Sequence, residues 1–418
     1  MPMWTSILDR LIRGMVRHGT LSVAFPDGRV TRCAGGPGPS VTLTLTDPTL
    51  PRRLLVSPEL ALGEGYMEGG LTVGGDDLAG LFEFLFLNRG TRGERLLQAG
   101  SRAARWLRRR IDQFNPAPRA QANVAHHYDL SQDLYDTFLD SDRQYSCAYF
   151  PTGRETLDEA QAAKTALVAR KLLLRPGMRV LDIGCGWGGL ALSLARDHGV
   201  RVLGITLSSD QHRIATERAR AAGLSDQVEF RLQDYRKVTG SFDRVVSVGM
   251  FEHVGVPQYR DYFRTVHDRL VEDGVALIHT IGRASPPGTT SPWTRKYIFP
   301  GGYIPALSET VAAIETADLW ITDIEVLRLH YAATLQAWYD RFIAAVADPA
   351  ARARVPQLED ERFVRMWRFY LVGAEQTFRH GGHAVFQIQL ARRQEAVPLT
   401  RAYLADAITP ERERMAAE

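Results

Sequence analysis

The sequence predicts an α/β protein in which a largely parallel sheet is covered by helices on both faces and preceded by a smaller α+β unit. From about residue 155 onward, short apolar runs alternate with helix-length stretches, the rhythm of strands joined through crossover helices. The first of these runs ends in a glycine-rich loop, Val180-Leu-Asp-Ile-Gly-Cys-Gly-Trp-Gly-Gly189, that opens the next helix. With 418 residues, 45% hydrophobic and 24% charged, the chain has room for roughly two to four domains. That composition excludes disorder, collagen and coiled coil as the main architecture.

In the first unit, Leu21 to Phe25, Val30 to Cys33 and Val41 to Leu45 are expected strands. Pro26-Asp27-Gly28 and Gly35-Gly36-Pro37-Gly38-Pro39 are read as the turns that break them. Helices are expected around Pro51 to Tyr66 and Asp77 to Phe86, the second with a strongly apolar face. This unit is set at residues 1–110. A linker follows at 111–122, where Asn115-Pro116-Ala117-Pro118 interrupts any helix, and the second unit is set at 123–418. No run approaches the roughly 20 apolar residues of a membrane span, and the N-terminus lacks the pattern of a secretory leader, so a cytoplasmic protein is expected. Cys33, Cys147 and Cys185 are odd in number and widely spaced, which offers neither a disulfide framework nor a paired-cysteine metal site.

Charge is uneven. The net charge of +3 is too small for bulk nucleic-acid binding, and no nucleic-acid partner is expected. Yet nine arginines stand between Arg89 and Arg119 against only Glu94 and Asp112. Trp106, Leu107, Ile111 and Phe114 lie among them at near-helical spacing, as in a helix resting on an anionic bilayer. A solvated linker helix in an arginine-favouring chain fits the same pattern, since only four of the 51 basic residues are lysine.

The second unit opens with a helix over Leu157 to Leu174, closed by Pro176-Gly177. A strand (Met178 to Ile183), the glycine loop, a helix (Leu190 to His198) and a strand (Arg201 to Thr206) follow. Further strands are expected at Gln227 to Leu232, Phe242 to Val248 and Val275 to Thr280. Sheets of this kind bind ligands beyond the carboxyl ends of their strands.

The glycine spacing is G-x-G-x-G through Gly184, Gly186 and Gly188, not the pattern that accommodates a pyrophosphate. Asp182, two positions earlier, favours a ligand carrying a cationic amine beside an anionic carboxylate, which describes the methionine end of S-adenosylmethionine. After the next strand no acidic residue stands ready for ribose hydroxyls, so Thr206 and Gln211 are assigned to them. After the third, Asp234 is assigned to the adenine amino group and Tyr235 to stacking nearby. Taken singly, each is equally a helix cap or a tight turn.

These residues and several others resemble the cyclopropane-fatty-acyl-phospholipid synthases and, more distantly, the mycolic-acid cyclopropane synthases. The resemblance rests on Ala125-His-His-Tyr-Asp-Leu130, Gln144-Tyr-Ser-Cys-Ala-Tyr-Phe150, the glycine loop, Gly204 to Gln211, Ser247-Val-Gly-Met-Phe-Glu-His-Val254, Ile278-His-Thr-Ile281, Phe299-Pro-Gly-Gly302 and His330-Tyr-Ala-Ala-Thr-Leu-Gln-Ala-Trp338. It implies a Rossmann-like S-adenosylmethionine-dependent methyltransferase sheet with an N-terminal lipid-binding domain. It also implies methyl transfer to a cis double bond of a phospholipid acyl chain, followed by ring closure with bicarbonate as the base. Carried over residue by residue, the bicarbonate site is Cys147, Glu252, His279, Ile281 and Tyr331, with Cys147 and Ile281 contributing backbone groups. Tyr145, Ser146 and Leu207 join the cofactor residues. The implied partners are unsaturated phospholipids at an anionic membrane surface, met peripherally from the inner face, and a homodimer is one expectation for the assembly.

Read without the family, Cys147 and His279 are ordinary core residues, Glu252 a surface charge or cap, and Tyr331, Tyr145, Phe150, Phe251 and Trp338 packing. His126 and His127 have no further ligand at metal spacing, so no metal is expected. The segment carrying Phe363, Val364, Met366, Trp367, Tyr370 and Leu371 either covers the sheet or lines an acyl tunnel. Where some relatives carry a late-helix cysteine, this chain has Ala374. Two alternatives remain open: a lipid methyltransferase giving a methyl-branched or methylated-unsaturated chain, and a small-molecule N-methyltransferase of the coclaurine type.

Overall fold

The computed structural model describes residues 2–113 and 131–405. The linker prolines, the Ala125–Leu130 motif and its two histidines lie outside the described residues.

The N-terminal unit comprises α1 (Pro2–Arg13), β1 (His18–Ala24), β2 (Val30–Ala34), β3 (Gly36–Leu45), α2 (Leu50–Val56), α3 (Pro58–Met67), β4 (Leu71–Val73), α4 (Leu78–Leu87) and α5 (Arg92–Asp112). Its sheet runs β2-β1-β3-β4, with β1 and β3 parallel. The N-terminal unit differs from two expectations. The helix over Pro51 to Tyr66 is two helices, because Pro58 pushes Ser57 out of the helical region. The Gly35–Pro39 run is not a turn: β3 begins at Gly36, and only Gly35 separates it from β2. A Cβ at Gly35 would lie 2.4 Å from the Arg17 backbone, and one at Gly38 would lie 2.7 Å from Gly19 N, so the glycines permit backbones to touch where side chains would not fit.

The second unit comprises α6 (Gln132–Phe138), α7 (Leu157–Lys171), β5 (Arg179–Ile183), α8 (Gly189–His198), β6 (Arg201–Thr206), α9 (Ser209–Ala221), β7 (Val228–Leu232), β8 (Phe242–Val248), α10 (Tyr259–Arg269) and β9 (Leu270–Arg283). It continues through α11 (Pro292–Tyr297), α12 (Leu307–Glu315), β10 (Trp320–Leu327), α13 (His330–Ala347), α14 (Pro349–Arg354), α15 (Glu361–His380), β11 (His383–Ala391) and α16 (Ala402–Ala405). A Thr156/Glu159 capping box starts α7. The seven-stranded sheet runs β10-β11-β9-β8-β5-β6-β7. Strands β5 to β9 are mutually parallel, whereas β11 and β10 join one edge antiparallel. The chain moves outward from β5 through β6 and β7, then returns to place β8 on the other side. The carboxyl ends of β5 and β8 therefore flank the topological switch point, where such sheets open a ligand crevice.

The two units share one apolar core, which joins Leu45, Leu71 and Phe84 to Phe138, Trp338 and Trp367. The Trp293 indole donates to Met67 Sδ at 3.0 Å and lies over Gly63, where a Cβ would come within 2.3 Å of the ring. Phe82 packs on Phe369 and faces Gly373 of α15. Glu64 accepts from Arg53, Lys296 and Tyr297 together. Replacing Gly63 by Ala is expected to cost about 1–3 kcal/mol through overpacking against the indole. Urea denaturation checks this, and an unchanged midpoint would mean the indole moves aside freely.

Helix α5 departs in part from the expected lipid-facing helix. Arg105 pairs with Glu59, and Arg109 pairs with Glu309 and reaches the Tyr303 hydroxyl. These two cations are directed at protein, while Trp106 and Leu96 are exposed. Among the described residues no helix is long and apolar enough to cross a membrane.

Candidate active site

A cavity opens at the switch point, between the loop after β5 and the loop after β8. Gly184 (φ 84°), Gly186 (φ 56°) and Gly188 (φ 84°) all occupy the left-handed region that favours glycine. Their tasks differ. A Cβ on Gly184 would lie 2.8 Å from Met250 and one on Gly188 2.6 Å from the Phe230 ring, whereas at Gly186 nothing among the described residues lies within 4 Å. Gly184 and Gly188 let the loop pack, and Gly186 keeps open space above it. Gly184 and Gly186 line the cavity; Gly188 stands behind it as the N-cap of α8.

Asp182 lines the same cavity, is 1% exposed, and its Oδ2 has no hydrogen-bond partner among the described residues. Burial raises its pKa to about 7, against the pull of the Lys164 ammonium. A buried, unpartnered carboxylate oxygen above a glycine cradle fits a cationic amine. The donor set therefore suits the methionine end of S-adenosylmethionine.

Thr206, Leu207, Gln211, Asp234 and Tyr235 line the cavity as well. The Thr206 hydroxyl donates to Gln211 Oε1 at 2.7 Å. Asp234 is held by Arg236, with Nε to Oδ1 at 2.8 Å. Burial opposes its charge, but Arg236 outweighs burial and keeps its pKa below the usual range. Tyr145 and Ser146 enter from the 144–150 segment. Gln161 donates to the carbonyls of Gln144 and Ser146, Lys164 donates to Gln144 Oε1 and to Ser146 Oγ at 3.3 Å, and Ala148 N–H donates to Thr334 Oγ1. The Tyr145 ring stacks on Trp338 at 5.1 Å between centroids, with its hydroxyl 3.0 Å from that of Tyr370.

Glu252 lies on a single helical turn just after β8, 7% exposed. Its Oε1 accepts from the Ile281 N–H at 2.6 Å, and its Oε2 is buried without a partner among the described residues. Burial raises its pKa to about 7. The backbone donor expected of Ile281 is thus committed to the carboxylate, which it orients. His279, two residues earlier on β9, is 2% exposed, and its Nδ1 is 3.1 Å from Gln387 Nε2. Cys147 donates its thiol to the Ala148 carbonyl, and burial pushes the thiol well up, so it stays protonated. Tyr331 is 7% exposed and sits edge-on to Trp338.

Glu252 is hydrogen-bonded to Ile281, and His279 stands two residues earlier on β9. Tyr331 belongs to α13, whose Thr334 accepts from the Ala148 N–H beside Cys147. The buried Lys164 ammonium acts electrostatically on Cys147, Asp182 and His279 and links the two groups. None of the five lines the switch-point cavity, which instead takes in Trp187, Gln233, Met250 and His253. His253 had a signal in the sequence, adjacent to Glu252, and burial lowers its pKa to about 4, so it is neutral. Lys164 had none: it stands within an ordinary helix, where lysine normally faces water.

The family model for mycolic acid cyclopropane synthetase matches residues 116–388. The chain belongs to this family. It is 38% identical over 356 residues to the Escherichia coli (strain K12) cyclopropane-fatty-acyl-phospholipid synthase, covering 84% of this chain and 88% of that protein. It is 35% identical over 405 residues to the tuberculostearic acid methyltransferase UfaA1 of Mycobacterium tuberculosis, covering 93% and 91%. Among solved structures, the mycolic acid cyclopropane synthase CmaA1 complexed with SAH and CTAB is similar, with 34% identity, a TM-score of 0.60, and coverage of 67% of this chain and 99% of that one.

Proposed function

We propose that this protein transfers the methyl of S-adenosylmethionine to a cis double bond of a phospholipid acyl chain and closes a cyclopropane ring, with bicarbonate as the base. S-adenosylmethionine supplies an electrophilic methyl on a sulfonium, and bicarbonate supplies a base that is itself hard to alkylate. An alkene is a feeble nucleophile, so this chain must align the reactants and exclude water. Tyr145, Trp338, Tyr331 and Trp367, packed in one apolar cluster, supply the dry surroundings.

The observation that carries the reading is Glu252 Oε2, buried with no hydrogen-bond partner among the described residues. A buried carboxylate accepts hydrogen bonds and repels most anions, but hydrogencarbonate is an anion with an O–H to give. By accepting a hydrogen bond from that O–H, Glu252 would hold the anion and make its remaining oxygens more basic towards the newly added methyl. Similarity to the E. coli enzyme supports a phospholipid acyl substrate. Similarity to UfaA1, whose name is that of a methyltransferase, favours a second reading in which the methyl is added without ring closure. We further propose that the exposed Trp106 and Leu96 of α5 and Met3 and Ile7 of α1 meet an anionic lipid surface.

The test is incubation with S-adenosylmethionine and unsaturated phospholipid vesicles, with the acyl chains read by mass. A gain of one CH2 that resists catalytic hydrogenation is the expected result. A gain that still hydrogenates indicates the open product, and no gain sinks both lipid readings.

A further inference from the structure

Behind His279, on the side away from the cofactor cavity, a buried polar chain leads to the edge of the sheet. Lys171 ends α7 with a side chain that is 0% exposed; its ammonium pairs with Glu325 of β10 and donates to Gln387 Oε1 at 2.7 Å. Gln387 of β11 is directly opposite His279 in the antiparallel β11–β9 register and is fully buried. Its Nε2 is 3.1 Å from His279 Nδ1. The end of α7 is itself fixed, since Gln389 Nε2 donates to the Lys171 carbonyl at 2.6 Å. Glu325 is the one partly exposed member, with 28% of its side chain accessible.

The direction of every bond in this chain follows from one group. An ammonium has three donors and no acceptor, so the amide atom facing Lys171 must be oxygen. The amide nitrogen then faces the imidazole, and a nitrogen donor requires Nδ1 to accept. A neutral imidazole whose Nδ1 accepts carries its proton on Nε2. We propose that Lys171 and Gln387 are positioning residues that lock His279 in the Nε2–H tautomer, so that the ring presents a neutral donor to bound hydrogencarbonate. The part concerning hydrogencarbonate rests on the function proposed above; the tautomer does not. Burial, reinforced by the Lys164 and Lys171 ammonium groups, lowers the His279 pKa to about 3, which keeps the ring uncharged. Fixing one tautomer matters because the alternative would aim a lone pair at the anion in place of an N–H.

The experiment is 15N NMR of the full chain labelled at histidine, with the His279 signals assigned by their loss in His279→Gln. The wild-type protein should show a protonated Nε2 and an unprotonated Nδ1; a protonated Nδ1 would overturn the proposal. In Lys171→Met the constraint is gone, so an Nδ1–H population should appear. The KM for bicarbonate should rise about 10- to 100-fold, the loss typical of removing an outer hydrogen-bond partner, with S-adenosylmethionine affinity retained. A purely structural role for Lys171 would lower stability and leave the ring signals unmoved, which would also overturn it. Should Lys171→Met fail to fold, Gln387→Glu retains a partner for the ammonium and must place a proton on Nδ1. If the tautomer is as stated but turnover ignores bicarbonate, the proposed function fails and the tautomer assignment survives.

Discussion

Glu252→Gln is expected to lower kcat by a factor on the order of 10²–10⁴, the range for loss of an acid–base group, while S-adenosylmethionine still binds. Gln keeps the shape and, with its carbonyl oxygen, can still accept the Ile281 N–H now bonded to Glu252 at 2.6 Å. Its NH2 group then occupies the place of Oε2, which has no partner among the described residues, and presents a donor where the hydroxyl of the proposed hydrogencarbonate requires an acceptor. Calorimetric cofactor binding beside steady-state kinetics separates the two effects. Equal loss of binding and turnover would move Glu252 out of the base site and into the cofactor site.

Asp182→Asn is expected to act on binding. A hydrogen bond to a charged group contributes about 1.5–3 kcal/mol, so the Asn variant should bind S-adenosylmethionine roughly 10- to 100-fold more weakly. A pH signature accompanies the loss. In the ligand-free cavity burial raises the Asp182 pKa to about 7, and a cationic ligand favours the ionised form. Wild-type affinity should therefore tighten as the pH rises towards 7 and level off above it, whereas the Asn variant should lack that rise. An identical slope in both proteins would show that another group titrates on binding.

Much of this site is legible in the chain before folding. Arg201–Thr206 and Phe242–Val248 are strands with the bounds their apolar runs suggest, because buried parallel strands have little polar alternation to blur their ends. Asp182 and the glycines stand out because the strand-to-helix turn leaves few residue types able to occupy it. Glu252 and His279 were legible only through family resemblance, since a buried carboxylate and a surface one look alike in sequence. Lys164, Lys171 and Gln387 carried no signal at all. Lys171 meets Gln387 where the end of α7 reaches β11, and Lys164 meets the 144–150 segment; such long-range pairing has no local pattern. The same holds for Arg105 and Arg109, whose acidic partners Glu59 and Glu309 are distant in sequence. The antiparallel β10 and β11 also escape the alternation rule, which predicts parallel neighbours.

In the proposed function a trapped hydrogencarbonate takes the proton whose loss closes the ring. The most direct test of that claim is the rate of methylene incorporation into vesicle acyl chains in buffer stripped of carbon dioxide, then with bicarbonate restored and pH and ionic strength held fixed. Incorporation should fall steeply on stripping and recover saturably with added bicarbonate. A rate indifferent to bicarbonate would contradict the claim.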